Sequence, residues 1–438
     1  MFSKLNTCTA PAAVTALLLL LPISFPCAHA DDRPAAYGQR FVAVGHDWQD
    51  AVPPRTEVEA TPLTQADRDE FQRTLAAIEY SEGPYADGLA EPLLGLARHY
   101  RAEGELDTAL SLYRRALHLV RVNDGLYSER QAPVVRELLE VFRDAGDLAA
   151  LDDRYEYFFR LYGSGRPPFT EVRARATLEY MRWQREAFRS ELDGAGDRRL
   201  LDLYDLNRQV LEAVENDASV DPQFKIDLVV SQLRNLYLLL DSIEPPTDVF
   251  YGAAGRRPVS GYQGDLQDFN RTRLENLRST AVSRGRNLIR ALLEEQPGIA
   301  VRERARLHLE LGDWYQWNDI RHNALEHYRS AFELLADNAD NQRLSQWFGE
   351  AVELPDNGAF WQPGRTGDSE NSTLVDASFR VNERGRARDV ESHESLAEDV
   401  ADANRLRRAL RATRFRPRFE DGEPVESQVI QRRYRVYD

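Results

Sequence analysis

The chain has 438 residues, with 72 Asp and Glu against 56 Lys and Arg, for a formal net charge of −16 at pH 7. A surplus of that sign repels polyphosphates and anionic headgroups, which excludes nucleic acid and the lipid surface as general partners. Its two cysteines, Cys8 and Cys27, both lie near the N-terminus, so everything after them lacks a thiol for a disulfide, a nucleophile or a metal.

The N-terminus has the layout of an export signal: Lys4, an apolar run from Ala12 to Leu21, and the small-x-small sequence Ala28-His29-Ala30 before Asp31. The run falls short of the ~20 apolar residues that span a bilayer. Residues 1–30 are therefore expected to be a cleaved signal peptide, with a retained membrane anchor as the alternative. Residues 31–65 are polar and proline-rich and read as a loosely ordered lead. The segment from Ala66 to Tyr80 begins the first helix.

Residues 66–353 carry helical periodicity and repeat themselves. In LLGLARHYRAEGELDTALSLYRRAL, the small residues Ala97, Ala109 and Ala116 allow two helices to approach. Leu93, Leu96, Tyr100 and Tyr113 fill the space around them, and Gly104 makes the turn. These spacings resemble the tetratricopeptide repeat (TPR). A degenerate copy has Phe142, Gly146, Leu151, Tyr155 and Phe158 at the matching places, offset by 42 residues. The usual period is about 34, so longer helices or an added loop are predicted between them. A third copy has Gly312, Tyr315, Ala324, Tyr328 and Ala331, with Asp319 where the turn glycine belongs. Helical runs between Phe169 and Pro297 read as divergent pairs of the same stack, interrupted by a loop of about twenty residues from Glu244 to Asp265. The resemblance implies an α-solenoid whose concave side binds an extended peptide or a helix of another protein. The repeat aromatics read as core, while Trp314 and Trp317 are candidates for the groove.

Residues 354–372 are rich in Gly, Pro, Asn, Asp and Ser and read as a linker. Beyond them the period becomes alternating. Val375, Ala377, Phe379 and Val381 point one way, a turn follows at Asn382–Gly385, and RARDVES returns as a second strand. A helix comes next, with Leu396, Val400, Ala403, Leu406 and Leu410 on one stripe. Phe415, Pro417, a turn at Glu420-Asp421-Gly422, Pro424 and Val425 then lead into a terminal strand. This ββαβ order, the aromatic-x-Pro and the Gly-x-Pro-Val turn resemble the C-terminal domain of the TonB family over residues 373–438. The resemblance implies a docking module whose last strand lies at a sheet edge and pairs with an extended segment of an outer-membrane receptor. Ser427, Val429, Gln431, Arg432, Arg433, Arg435 and Tyr437 would form that edge. The arginines would favour an acidic partner, deter unwanted pairing, or face the acidic repeats of the same molecule.

No histidine pair has a metal spacing, and no P-loop, dinucleotide or nucleophile-elbow motif is present. We therefore expect a non-enzymatic protein with no cofactor and no metal. The sequence reads as mainly α: a TPR-type α-solenoid followed by a small α/β (ββαβ) TonB-like domain. The expected function is a periplasmic adaptor that binds protein or peptide partners, outer-membrane receptor segments among them, without energy coupling. One alternative is a membrane-anchored TonB-type energy transducer. The other is a structural assembly factor that forms a homodimer through the C-terminal domain.

Overall fold

The computed structural model describes residues 41–43, 65–193, 197–215, 217, 219–242, 262–295, 298–360, 372–394 and 400–437. The expected signal peptide and most of the lead lie outside them. Among the described residues the protein is mainly helical, with a few small antiparallel sheets. A three-residue strand, β1 (Phe41–Ala43), precedes α1 (Gln65–Glu82), α2 (Ala90–Ala102), α3 (Leu106–Asp124), α4 (Ala132–Asp144) and α5 (Leu148–Leu161). Then come α6 (Glu171–Arg189), α7 (Asp197–Glu215), α8 (Pro222–Ser242), α9 (Tyr262–Glu295), α10 (Val301–Trp317), α11 (Arg321–Asp337) and the short α12 (Asn341–Phe348).

Helices adjacent in sequence pack as neighbours, and the three sequence repeats fall on the pairs α2–α3, α4–α5 and α10–α11. Their turns close in the same way. Glu105 N–H donates to Tyr100 O, Asp147 N–H to Phe142 O and Ile320 N–H to Tyr315 O, at 2.8–3.0 Å. Each turn needs one residue with positive φ, as helix C-termini of this kind do. Gly104 (φ 81°) and Gly146 (φ 68°) supply it in the first two, and Asp319 (φ 62°) in the third. Asp tolerates the left-handed region better than most residues, which is why the third repeat survives without its glycine. The small positions are packed shut: Ala97, Ala109, Ala116, Ala324 and Ala331 are buried, as are Tyr113 and Tyr328. Gly312 must remain glycine, because a Cβ there would sit 2.6 Å from the Tyr328 ring. The 42-residue offset is explained by extra length in α3 and a 3-10 turn at Glu129–Gln131. The loop expected to end at Asp265 ends sooner, since α9 already begins at Tyr262.

The last part of the chain adds β2 (Val352–Glu353), β3 (Ser372–Val381), β4 (Ala387–Glu394), α13 (Val400–Ala412), β5 (Phe415–Arg416), β6 (Arg418–Glu420), β7 (Glu423–Val425) and β8 (Ile430–Tyr437). Val375, Ala377, Phe379 and Val381 alternate inward beneath Ala403, Leu406 and Leu410 of α13. The strand order is β1-β8-β3-β4. This corrects the sequence expectation of a free terminal edge: Tyr434, Arg435 and Val436 lie between β3 on one side and Ala43, Val42 and Phe41 on the other. The lead is accordingly not loose throughout.

The expected linker also differs from expectation at its start. Leu354, Ala359 and Phe360 are buried, and the last two belong to the helical core. The remainder of it, to 371, lies outside the described residues.

One polar pair inside the α10–α11 repeat gives a pH prediction. His308 Nδ1 and His327 Nδ1 are 3.0 Å apart, so one donates and the other accepts, which two protonated rings could not do. The Tyr315 ring stacks on His327. Arg304 lies near His308, and Glu326 and Arg290 near His327. Burial, reinforced by His327, pushes His308 down to about 4, and burial lowers His327 too. The unfolded chain takes up these protons from about pH 6.5 downward while the folded one resists. The pair's contribution is thus intact above pH 6.5 and lost as pH falls toward 4. Denaturant titrations should show ~2 kcal/mol lost to this pair by pH 4.5. His308→Leu should flatten that part of the profile, and an unchanged profile would refute the assignment.

Candidate partner-binding surfaces

The sheet surface is built by the register of β8. It pairs antiparallel with β3 from Phe379↔Ile430 to Ser372↔Tyr437. On its other side β1 covers Tyr434–Val436 only, and no strand lies opposite Ile430–Arg433 among the described residues. This edge of β8 thus takes an added strand through its backbone donors and acceptors, as a sheet edge can.

The residues expected to form the docking edge are not equivalent. Ser427 precedes β8 and is buried, and its N–H and Oγ satisfy Val381 O and N–H at 2.8 Å each. Val429, also ahead of the strand, is exposed, as is Gln431. Arg432 is committed to the interior, 3.0 Å from the buried Glu353 carboxylate and 3.3 Å from Ala351 O. Burial pushes Glu353 up while Arg432 draws it back, and Tyr434 Oη donates to the same carboxylate. Arg433 makes a fork to Asp376 on β3, at 2.7 and 3.1 Å, on the open face. Arg435 is half-buried opposite Leu374, and Tyr437 pairs with Ser372. The row of arginines is therefore largely answered within the chain.

The groove candidates fare differently from expectation. Trp314 is fully buried, its Nε1 donating to Val282 O at 3.0 Å and its ring 4.7 Å from Tyr237. It is a core residue, packed so closely on Gly285 of α9 that a Cβ there would come within 2.6 Å of the indole. Trp317 is half-buried and meets Phe360 at 6.3 Å between centroids. The face formed by α6, α8 and α10 thus carries the chain's own segment Asn357–Phe360. Arg234 donates to Asn357 O at 2.6 Å, Arg189 to Phe360 O at 3.2 Å, and the Asn357 amide to Glu310 at 3.0 Å.

Where the repeats meet the terminal elements, the contact is polar at its centre and apolar around it. Arg416, fully buried, donates through Nε and Nη2 to both oxygens of Asp313, at 3.0 and 2.9 Å. It also reaches Asp356 at 3.0 Å and Trp347 O at 3.0 Å. Tyr328 Oη donates to Asp313 at 2.8 Å. Burial pushes Asp313 up to about 7 against the pull of Arg416. Three donor hydrogens from two residues, on Arg416 Nε and Nη2 and on Tyr328 Oη, converge on its carboxylate, and they favour the ionised pair. Gln316 Nε2 bridges Arg384 O and Phe415 O at 2.9 and 3.0 Å. Asp319, the residue that replaced a glycine, accepts from Arg386 and Arg414 at 2.6–3.1 Å. Phe419 inserts beside Tyr328 and Phe348.

No site of this kind was visible in single motifs. The one signal for β1 was the short run Phe41-Val42-Ala43-Val44 in an otherwise polar lead. Among the described residues no group of His, Cys, Asp and Glu is placed to hold a metal, and no helix is long and apolar enough to cross a membrane. No family model and no curated protein matches the chain.

Arg416→Met should cost ~3–5 kcal/mol in denaturant unfolding, because it strands a buried carboxylate. Adding Asp313→Leu should restore much of that loss. A double variant as unstable as the single one would show that the pair is not what joins the two parts.

Proposed function

We propose that this chain is a binding adaptor of the Gram-negative envelope, exported, with a TPR-type solenoid carrying a TonB-like terminal domain, and without energy coupling. Its partner surface is the outer edge of β8, which takes extended peptide as an added strand. One observation carries the reading: a strand already adds there, β1 pairing through Phe41↔Val436, Val42↔Arg435 and Ala43↔Tyr434. Backbone pairing supplies affinity in this mode of recognition, and alternate side chains supply choice. On the open face those side chains are Gln431, Arg433 and Arg435, with Asp376 already engaged by Arg433. An acidic or polar extended segment fits them better than a basic one. The Arg416–Asp313 contact fixes β5 against the helical repeats, and with it the sheet that a bound segment would join.

The test uses the chain's own strand as probe. A variant beginning at residue 50 is mixed with a synthetic peptide of residues 38–48, and amide exchange is followed across β8. Slowed exchange from Ile430 to Val436 is the expected result. No slowing at millimolar peptide would defeat the strand-docking reading. A second reading follows from the same three pairs, since so short a strand can be exchanged between two copies. Light scattering of the intact chain separates the two: a dimer that disappears when residues 31–49 are removed favours the assembly factor.

A further inference from the structure

Arginines and carboxylates bridge α2, α4 and α6 in a regular series. Arg98 meets Glu137 at 2.8 Å, Arg101 meets Asp144 at 2.7 Å, Arg136 meets Glu179 at 2.7 Å, and Arg143 meets Glu186 at 3.0 Å. Each arginine finds its acid on the next helix but one. Between α6 and α8 the series continues at Arg189, which lies 3.9 Å from Asp241, but not at the two arginines before it. Arg185, fully buried, donates to Ser231 Oγ at 2.9 Å and Asn235 Oδ1 at 3.1 Å, with no carboxylate among its partners. Arg182, one turn before it, makes no hydrogen bond or ion pair among the described residues. Its Nε and Nη2 are buried without a partner. Arg234 and Arg182 lie close enough to Arg185 to repel it, and with burial they depress its pKa. A guanidinium out of water with no countercharge is costly, and a second beside it more so.

The same face already holds extended chain. Asn357 O and Phe360 O are read by Arg234 and Arg189, and Phe360 lies under the Arg189 guanidinium at 5.2 Å. From Arg189 to Arg182 the helix rises about 10 Å, the reach of roughly three extended residues. Arg185 and Arg182, farther up the same helix, make no hydrogen bond to that segment.

We propose that Arg182 and Arg185 form a binding site for a carboxylate side chain of an extended acidic peptide, which lies along α6 on the face that holds Asn357–Phe360. The occupant is fixed by charge: this is an excess of cations within a chain of net charge −16. General electrostatics would repel such a peptide, so binding it requires a local site. The site shares no residue with β8, and its failure leaves the strand-docking reading untouched.

The experiment is calorimetric titration of the intact chain, signal removed, with an amide-capped octapeptide alternating Asp and Ala, at low salt. The expected result is saturable binding that Arg182→Gln weakens at least tenfold, with no binding of the Asn–Ala analogue. Because Arg182 is only partly buried, Arg182→Gln should fold, and an unchanged near-ultraviolet spectrum verifies it. Asn235→Asp, which places a carboxylate on Arg185 from within, should weaken the peptide about fivefold or more. The proposal is overturned by absence of binding to the parent chain, or by Arg182→Gln and Asn235→Asp both binding as the parent does.

Discussion

The contact on which the rest of this structure depends is the buried fork between Arg416 and Asp313. Two ions taken out of water repel any arrangement that separates them, because each would be left unpaired in a medium that cannot solvate it. The pair therefore admits one geometry. Arg416 is the second residue of β5, so fixing it also fixes Phe415, whose carbonyl takes Gln316 Nε2 and whose N–H donates to Gly385 O. A Cβ at Gly385 would come within 2.0 Å of Phe415 O, so the β3–β4 turn can close only on glycine. Phe419 follows two residues behind Pro417 and enters the helical core. The terminal elements cannot swing on the repeats without exposing all of this at once.

That arrangement separates what sequence can show from what it cannot. The repeats were legible because their determinants are local: alanines where helices touch, tyrosines between them, a positive-φ residue at each turn. Even the exception was readable, since Asp319 stood in the glycine's place. Its second role was not. The two arginines that converge on Asp319 lie 67 and 95 residues away, and nothing at that range is encoded in periodicity. The ββαβ order was legible for the same local reasons. The neighbour of β8 was not, because a strand's partner depends on which free segment reaches it, and Phe41–Ala43 is only three residues long. The repeat spacing reappears in the helix-to-helix bridges: Arg101–Asp144, Arg136–Glu179 and Arg143–Glu186 each span 43 residues, one more than the offset of 42, while Arg98–Glu137 spans 39.

Composition misled where it stood for flexibility. A stretch rich in Gly, Pro and Asn reads as a linker, yet Asn357 and Phe360 are held by three charged residues on three different helices. Such residues lower the cost of bending the chain, and a bend is needed wherever a segment must lie down in a groove. Tryptophan misled in the opposite direction. Trp314 looked like a groove anchor, but its ring fills the space that Gly285 leaves on the neighbouring helix.

Both surfaces that sequence offered as open are thus partly filled by the chain itself, and the two fillings differ in kind. The segment Leu354–Phe360 is buried in the helical core and continuous with the elements that carry Arg416, so removing it would dismantle the protein. β1 is held through three residue pairs at a strand edge and connected through residues 44–64 to α1. A strand carried on the same chain competes intramolecularly, so a free strand replaces it only by pairing better or by being more concentrated. Discrimination then rests on the side chains facing Gln431, Arg433 and Arg435. A fortuitous strand that does not answer them gains nothing over the segment already in place.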